Sequence, residues 1–494
     1  MKTYWRSIEE LANPKELRRE EVREEAKQKS MLMKVDKEAN AASRRDFLKT
    51  FGFSIAAATL VASCKRPIDK AIPYLVKPDE INPGTANYYA SSYFEGNEYG
   101  SIIVKVRDGR PIKIEGNMLS SISQGGTSAR IQASVLNLYD DARFKGPSKS
   151  GSEIIWEKAD AEIMSQLSSI KNQGGKVVLL SSTIISPSTR DVIRKFLDKP
   201  SNTEWIQYDP VSASGILLAN LNTFGTSNTP DSLAAIIPDY RFNKAKVVVS
   251  FGADFLGSWL STVEYTKGYT AARQLQDGRK EMLRHYQFES GMTLSGSNAD
   301  VRFPIKPSEE GAIVLALYNA IAKSKGGQVF PGAQSSVDIS ELAKDLLENE
   351  KQSIVISGSN DVNIQILVNG INHLLGNYGE TIGLDTPLMT KKGIDQICES
   401  LLTDMKAGNI KALLVWNANP VYDHPKGKEF AEAIKKTGLS VSFSERPDET
   451  TALCQYVLPE TNFLESWNIQ FIPTGNRTFI QCQGAPRNAV EMVW

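Results

Sequence analysis

The sequence predicts an α/β protein with mostly parallel sheets covered on both faces, preceded by a small N-terminal β unit. Three observations predict it. Short continuous apolar runs recur through the second two thirds of the chain: Lys176–Ser181, Lys246–Phe251, Ser353–Ser357, Ile410–Trp416 and Leu439–Phe443. Stretches of helical period lie between them, at 156–171, 188–197, 309–324, 361–376, 393–406 and 427–436. Near the N-terminus two alternating runs, 100–106 and 111–115, flank Arg107-Asp108-Gly109-Arg110. A strand apolar on both sides belongs between two layers of helix, whereas alternation around an Asp-Gly pair marks a hairpin.

In chain order, residues 1–42 form an extended charged leader without evident chemistry. Residues 43–64 follow as an export signal. Arg44-Arg45 precede a short apolar run, Phe51 to Ser63, that ends in small residues. Spanning a bilayer takes roughly 20 apolar residues, so this run is a secretory signal of the twin-arginine kind and not a span. It closes on Leu60-Val61-Ala62-Ser63-Cys64, which looks like a lipoprotein cleavage box and makes Cys64 a candidate for lipidation. Residues 65–150 are expected as a small β-rich lobe, with 65–100 irregular and Gly116-Asn117 closing the hairpin unit. Residues 151–470 are expected as α/β lobes, with loops at 223–231 and 325–337, and 471–494 as an irregular or truncated tail.

Charge and cysteine usage exclude several chemistries. After residue 63 the chain holds 44 Lys/Arg against 47 Asp/Glu. That is read as no nucleic-acid footprint and no polybasic membrane patch. The four cysteines (Cys64, Cys398, Cys454, Cys482) lie at least 28 residues apart, without C-x-x-C spacing. Cys398 falls in an amphipathic helix and Cys454 before an apolar strand, so both are expected as buried small hydrophobes. His285, His373 and His424 are far apart in sequence and are expected to be structural. No nucleophile–base motif, paired carboxylates or Walker loop stands out. Gly252-Ala253-Asp254 and Asn419-Pro420 read as strand-end turns before they read as ligand contacts.

Several blocks, in order, resemble the molybdopterin oxidoreductases of the DMSO-reductase type. They are Gly109-Arg110-Pro111-Ile112-Lys113-Ile114-Glu115-Gly116-Asn117, Val247 to Phe255 with its Gly252-Ala253-Asp254 turn, and Asn298 to Pro307. Ala412 to Pro420 and Glu449 to Glu460 complete the set. The resemblance runs from about 85 to 470. The leader, with Tyr4-Trp5-Arg6-Ser7 and the late Arg44-Arg45, is similar to that of the molybdopterin-like iron–sulfur subunit of alternative complex III. This implies a quinol-oxidising complex on the periplasmic face of the bacterial inner membrane. The implied partners are integral membrane quinol-binding subunits and multihaem cytochrome c subunits, with a terminal oxidase as a further candidate; nucleic acid is not among them. It further implies that the molybdopterin-like region is empty, that iron–sulfur clusters sit in a following domain, and that haem c sits in the partners.

Cluster-carrying members of the wider superfamily use a C-x-x-C-x-x-x-C run before the hairpin and a cysteine in a Gly-x-x-Cys-x-Arg/Lys block. Here the first region reads Ser91-Ser92-Tyr93-Phe94-Glu95-Gly96, and the second reads Gly125-Gly126-Thr127-Ser128-Ala129-Arg130. Hydroxyls do not replace thiolates toward iron. The expectation is a chain with no catalytic, cofactor-binding or metal-binding residue of its own. The alternatives are an active molybdopterin-dependent oxidoreductase and a free-standing extracytoplasmic lipoprotein.

Overall fold

A computed structural model describes residues 84–465, apart from 97, 199–201, 226–235, 276–279 and 333. The chain divides into Met1–Lys77 and Pro78–Trp494, and every described residue belongs to the second unit. The leader, Arg44, Arg45, Cys64 and the tail beyond 465 lie outside the described residues.

The N-terminal lobe is a three-stranded antiparallel sheet of β1 (Ala86–Glu95), β2 (Glu98–Arg107) and β3 (Arg110–Gly116). The hairpin forms where Asp108 and Gly109 were expected to turn the chain, both at positive φ (50° and 75°). Asn117 closes the unit by donating from Nδ2 to Ser101 Oγ at 3.0 Å. The irregular stretch expected over 65–100 is corrected at its end: β1 pairs with β2 along its whole length, from Ala86↔Arg107 to Glu95↔Glu98. Its alternation is masked because the buried face is partly hydroxylic, with Ser91 and Tyr93 inward beside Ile102, Val104 and Ile114.

The largest sheet has the order β5-β4-β16-β15-β14-β6-β7. Its parallel body comprises β6 (Lys176–Ser181), β7 (Thr203–Gln207), β14 (Ile410–Trp416), β15 (Leu439–Ser444) and β16 (Tyr456–Pro459). The short antiparallel hairpin β4 (Ser148–Lys149) and β5 (Ser152–Glu153) extends it, so this lobe begins slightly before residue 151. Alternate residues of β14 feed two cores. Leu413 and Val415 pack under the helices Asp395–Lys406 and Gly427–Lys436, while Ala412 and Leu414 pack under Trp156–Asn172. Cys398 and Cys454 both lie in the first of these cores, as their surroundings in sequence suggested.

A second lobe carries a fully parallel sheet, ordered β11-β10-β9-β12, of β9 (Val247–Phe251), β10 (Arg284–Glu289), β11 (Val301–Pro304) and β12 (Ser353–Ser357). Beside it, β8 (Ile237–Tyr240) and β13 (Ile382–Leu388) pair antiparallel. No helix among the described residues is long and apolar enough to cross a membrane. The described residues of the expected loop at 325–337 hold no helix or strand. Thr223 and Phe224 instead end a helix, Ser214–Phe224, and 226–231 lies outside the described residues.

β10 escapes an apolar-run reading because His285, Gln287 and Glu289 all point to one buried face. They are satisfied by one another along the strand and by partners from other segments. Tyr269 Oη lies 3.2 Å from His285 Nδ1, His285 Nε2 lies 3.1 Å from Gln287 Oε1, and Arg302 Nε reaches Glu289 at 2.5 Å. Burial pushes the His285 imidazole down to about 4, so it stays neutral and structural. The other face carries Phe288, stacked between Phe251 and Phe303 at 4.7 and 4.6 Å. Phe288→Ala is expected to cost about 3–5 kcal/mol, read as a fall in the urea midpoint at constant slope.

Candidate functional site

Parallel α/β sheets place ligands at the carboxyl ends of strands where the strand order reverses. In the large sheet the order reverses between β6 and β14. A cleft of about 800 Å³ opens there, walled by the ends of β6, β14, β15 and β16, by the 93–96 segment of the N-terminal lobe, and by Asn462 and Phe463.

The lining is strongly acidic. Glu95, Asp140, Asp209, Asp423, Glu445, Asp448 and Glu460 face a single basic lining residue, Arg446. Much of this charge is held by the wall itself. Arg446 pairs with Asp140 at 3.1 Å, and Arg143, just behind the lining, pairs with Glu445 at 2.8 Å and with Glu465. Asp209 accepts from Thr183 Oγ1 at 2.8 Å and from the backbone N–H groups of Lys392 and Gly393 at 3.0 and 2.8 Å. The ammonium of Lys391, a residue 1% exposed, lies 3.8 Å from Asp209. Burial lowers the pKa of that lysine, against the pull of Asp209. Asp448 takes the N–H and hydroxyl of Thr451 at 2.7 and 2.8 Å. Desolvation raises Asp423, which accepts from Tyr208. Desolvation by the cleft wall also pushes Glu460 up to about 7, with Glu445 adding repulsion, although its outer edge is open to the cleft.

The turns singled out in the sequence have structural duties. Asn419 accepts from Thr450 N and Oγ1 at 3.1 and 2.7 Å, tying the end of β14 to the segment after β15. Asp254 caps the turn Leu294–Ser297, accepting from Ser295 N and Oγ at 2.9 and 2.8 Å. At the switch point of the second sheet, between β9 and β12, a Cβ on Gly358 would meet the Gly252 carbonyl oxygen at 2.7 Å. The two strand-end loops therefore touch directly. Glu310 stands beside them, its carboxyl raised by burial and bonded to Ser357 at 2.7 Å.

The residues that the resemblance sets against cluster cysteines lie in the N-terminal lobe. Ser91, Ser92 and Tyr93 sit in β1, and Ser128 begins the helix Ala129–Ala133. Ser128 Oγ accepts from Ile131 N at 3.1 Å as the N-cap and donates to the Glu98 carboxylate, which Arg130 approaches at 3.5 Å. Tyr93 donates to Glu95 at 2.5 Å. Cys398 and Cys454 are far from this place, in the core of the large sheet, with burial pushing both thiols up to about 12.

An iron–sulfur cluster needs thiolates where the chain offers hydroxyls already committed to a cap and a carboxylate. A phosphate-bearing ligand at the strand ends of the cleft would meet several carboxylates as well as Arg446. Among the described residues no group of three His, Cys, Asp or Glu is arranged to hold a metal ion. The acidic wall was not legible in the sequence, because its members come from segments more than 300 residues apart.

The segment 125–128 packs on the helix Thr262–Arg273; a Cβ on Gly126 would meet Val263 at 3.1 Å. On that helix Glu264 accepts from Ser261 at 3.0 Å. Desolvation, with Asp239 adding, pushes Glu264 up to about 8 from 4.5. Between those values the unfolded chain gives up a proton that the folded chain keeps, so stability falls as pH rises through this window. Glu264→Gln is expected to flatten that fall. Its melting temperature relative to the unaltered chain should be higher at about pH 9 than at about pH 5.

Comparison with known proteins follows the fold. No family model matches the chain. It is 25% identical over 418 residues to the menaquinone reductase, molybdopterin-binding-like subunit of Nitratidesulfovibrio vulgaris (strain Hildenborough), an alignment covering 75% of this chain. The chain spans 58% of that relative's length. Among solved structures it is similar to acetylene hydratase from Pelobacter acetylenicus, with a TM-score of 0.58 at 13% identity, covering 82% of this chain and 66% of that one. The chain thus shares the mixed α/β, mostly parallel fold of that hydratase.

Proposed function

We propose that this chain is a structural, cofactor-free, molybdopterin-oxidoreductase-like subunit of a quinone-linked respiratory complex of the alternative complex III type, on the periplasmic face of the bacterial inner membrane. The observation that carries this reading is Ser128. The residue aligned with a cluster thiolate is a helix cap bonded to Glu98, and the strand-end cleft beside that lobe is walled by the chain's own carboxylates. The resemblance to a subunit named molybdopterin-binding-like, from a menaquinone reductase, supports the quinone link.

In this reading the chain supplies surface and rigidity. Electrons pass from quinol through iron–sulfur clusters in a following domain and through haem c in partner subunits. Integral membrane quinol-binding subunits, multihaem cytochromes and a terminal oxidase are the partners. Arg44-Arg45 direct export in the folded state, and Cys64 carries the acyl anchor.

The deciding measurement is molybdenum, tungsten and iron per chain in the particle purified natively from membranes. Iron without molybdenum or tungsten is the expected result. About one molybdenum or tungsten per chain would make the protein an active molybdopterin enzyme, and absence of all three metals would make it a free-standing lipoprotein. Separately, replacing Arg44-Arg45 by Lys-Lys is expected to leave the protein in the cytoplasm on fractionation; normal periplasmic delivery would overturn the export assignment.

A further inference from the structure

The three-stranded sheet of the N-terminal lobe has one covered face; its other face is covered at the Phe94–Tyr99 end, against Ile122, Ile185 and Met389, and open toward the Asp108-Gly109 turn. Its inner face is filled by Tyr93, Ile102, Val104 and Ile114 against Ile131, Val135 and Leu138. Strand register fixes what the outer face presents. Tyr88, Lys105 and Lys113 stand directly opposite one another across β1, β2 and β3, and Ala86, Arg107 and Arg110 form the adjacent row. Four cations thus occupy two neighbouring rows of one surface. The acidic residue of the next row, Glu115, pairs with Lys113 at 2.9 Å, both side chains being largely exposed. Apolar surface is interleaved: Tyr88 is 56% exposed beneath the Lys105 ammonium, 5.8 Å from its ring centre, and Ile112, the unpaired residue at the β3 bulge beside Lys113, is 48% exposed.

This concentration is local. Beyond residue 63 the chain carries more acidic than basic side chains, and the strand-end cleft is acidic. Cations mixed with an exposed tyrosine and aliphatics suit an interface with anionic headgroups above and acyl chains below. The chain outside the described residues favours the same occupant. The apolar run 51–63 and Cys64 lie 22 residues before β1 begins at Ala86. Such a tether reaches at most about 75 Å when extended, so an anchored chain holds this lobe first among its parts at high effective concentration near the bilayer.

We propose that the open end of this sheet's outer face docks on anionic phospholipid, with Lys105, Arg107, Arg110 and Lys113 contacting headgroup phosphates and Tyr88 entering the interfacial layer. The proposal rests on the membrane-facing reading above but not on the cofactor-free one. Metal content tests the latter alone.

The test is flotation of the full chain, carrying Cys64→Ala so that no acyl chain contributes, with vesicles of phosphatidylglycerol plus phosphatidylcholine or of phosphatidylcholine alone. The expected result is binding to the anionic vesicles only, released by salt. Reversing two surface cations in Lys105→Glu/Lys113→Glu is expected to weaken it by about 30-fold or more. The control reversal Lys195→Glu/Lys344→Glu, on exposed helical sites elsewhere, is expected to leave it unchanged, with all variants melting alike by circular dichroism. Equal binding to both vesicle types, or equal loss in both double variants, would overturn the proposal. So would indifference of the chain to anionic vesicles combined with loss of a subunit from the native particle on the Lys105/Lys113 reversal; that outcome would assign the face to an acidic protein partner.

Discussion

The architecture depends on one constraint: parallel strands apolar on both faces have to be covered by helices on both sides, which leaves strand ends as the places where polar groups gather. In this chain those ends are filled from within. Asp254, Glu289 and Glu310 seal the second sheet, and Asn419, Asp423, Asp448 and Asp209 line the first. Each of these side chains takes hydrogen bonds from neighbouring loops. Carboxylates that cap turns and bridge loops stiffen a fold, but they also set a negative field where a phosphate-bearing ligand would lie.

The N-terminal lobe is held together by hydroxyls and a buried carboxylate. Ser128 is the N-cap of the helix Ala129–Ala133, a role for which its hydroxyl is well suited. Glu98, facing it, is 6% exposed and is offset by the Ser128 hydroxyl and the Arg130 guanidinium. A buried carboxylate with hydrogen-bond donors can be accommodated where one without them could not. The same lobe turns a cationic face outward, so the molecule divides its charge: acid inside the cleft, base on the β-lobe surface.

Much of the fold was legible because its strands are continuous apolar runs. Val247–Phe251, Ser353–Ser357, Ile410–Trp416 and Leu439–Ser444 lie where that pattern placed them, and the helix Glu310–Ser324 follows the Asn298–Pro307 block. β1 and β10 were not legible, for a common reason. Their buried faces carry Ser91, Tyr93, His285, Gln287 and Glu289, polar residues whose burial is tolerable only through packing or partners brought from other segments.

The sequence by itself determined the layered α/β architecture, the Asp108-Gly109 hairpin and the absence of thiolates at Ser91, Tyr93 and Ser128, because periodicity, turn chemistry and residue type are local properties. Tertiary structure alone decided that seven carboxylates share one cleft and that Lys105, Arg107, Arg110 and Lys113 share one face. The physical reason is that electrostatic environment depends on distance in space. Glu95 and Glu460 wall the same cleft although hundreds of residues separate them, and strand register, not spacing along the chain, sets Lys105 beside Lys113.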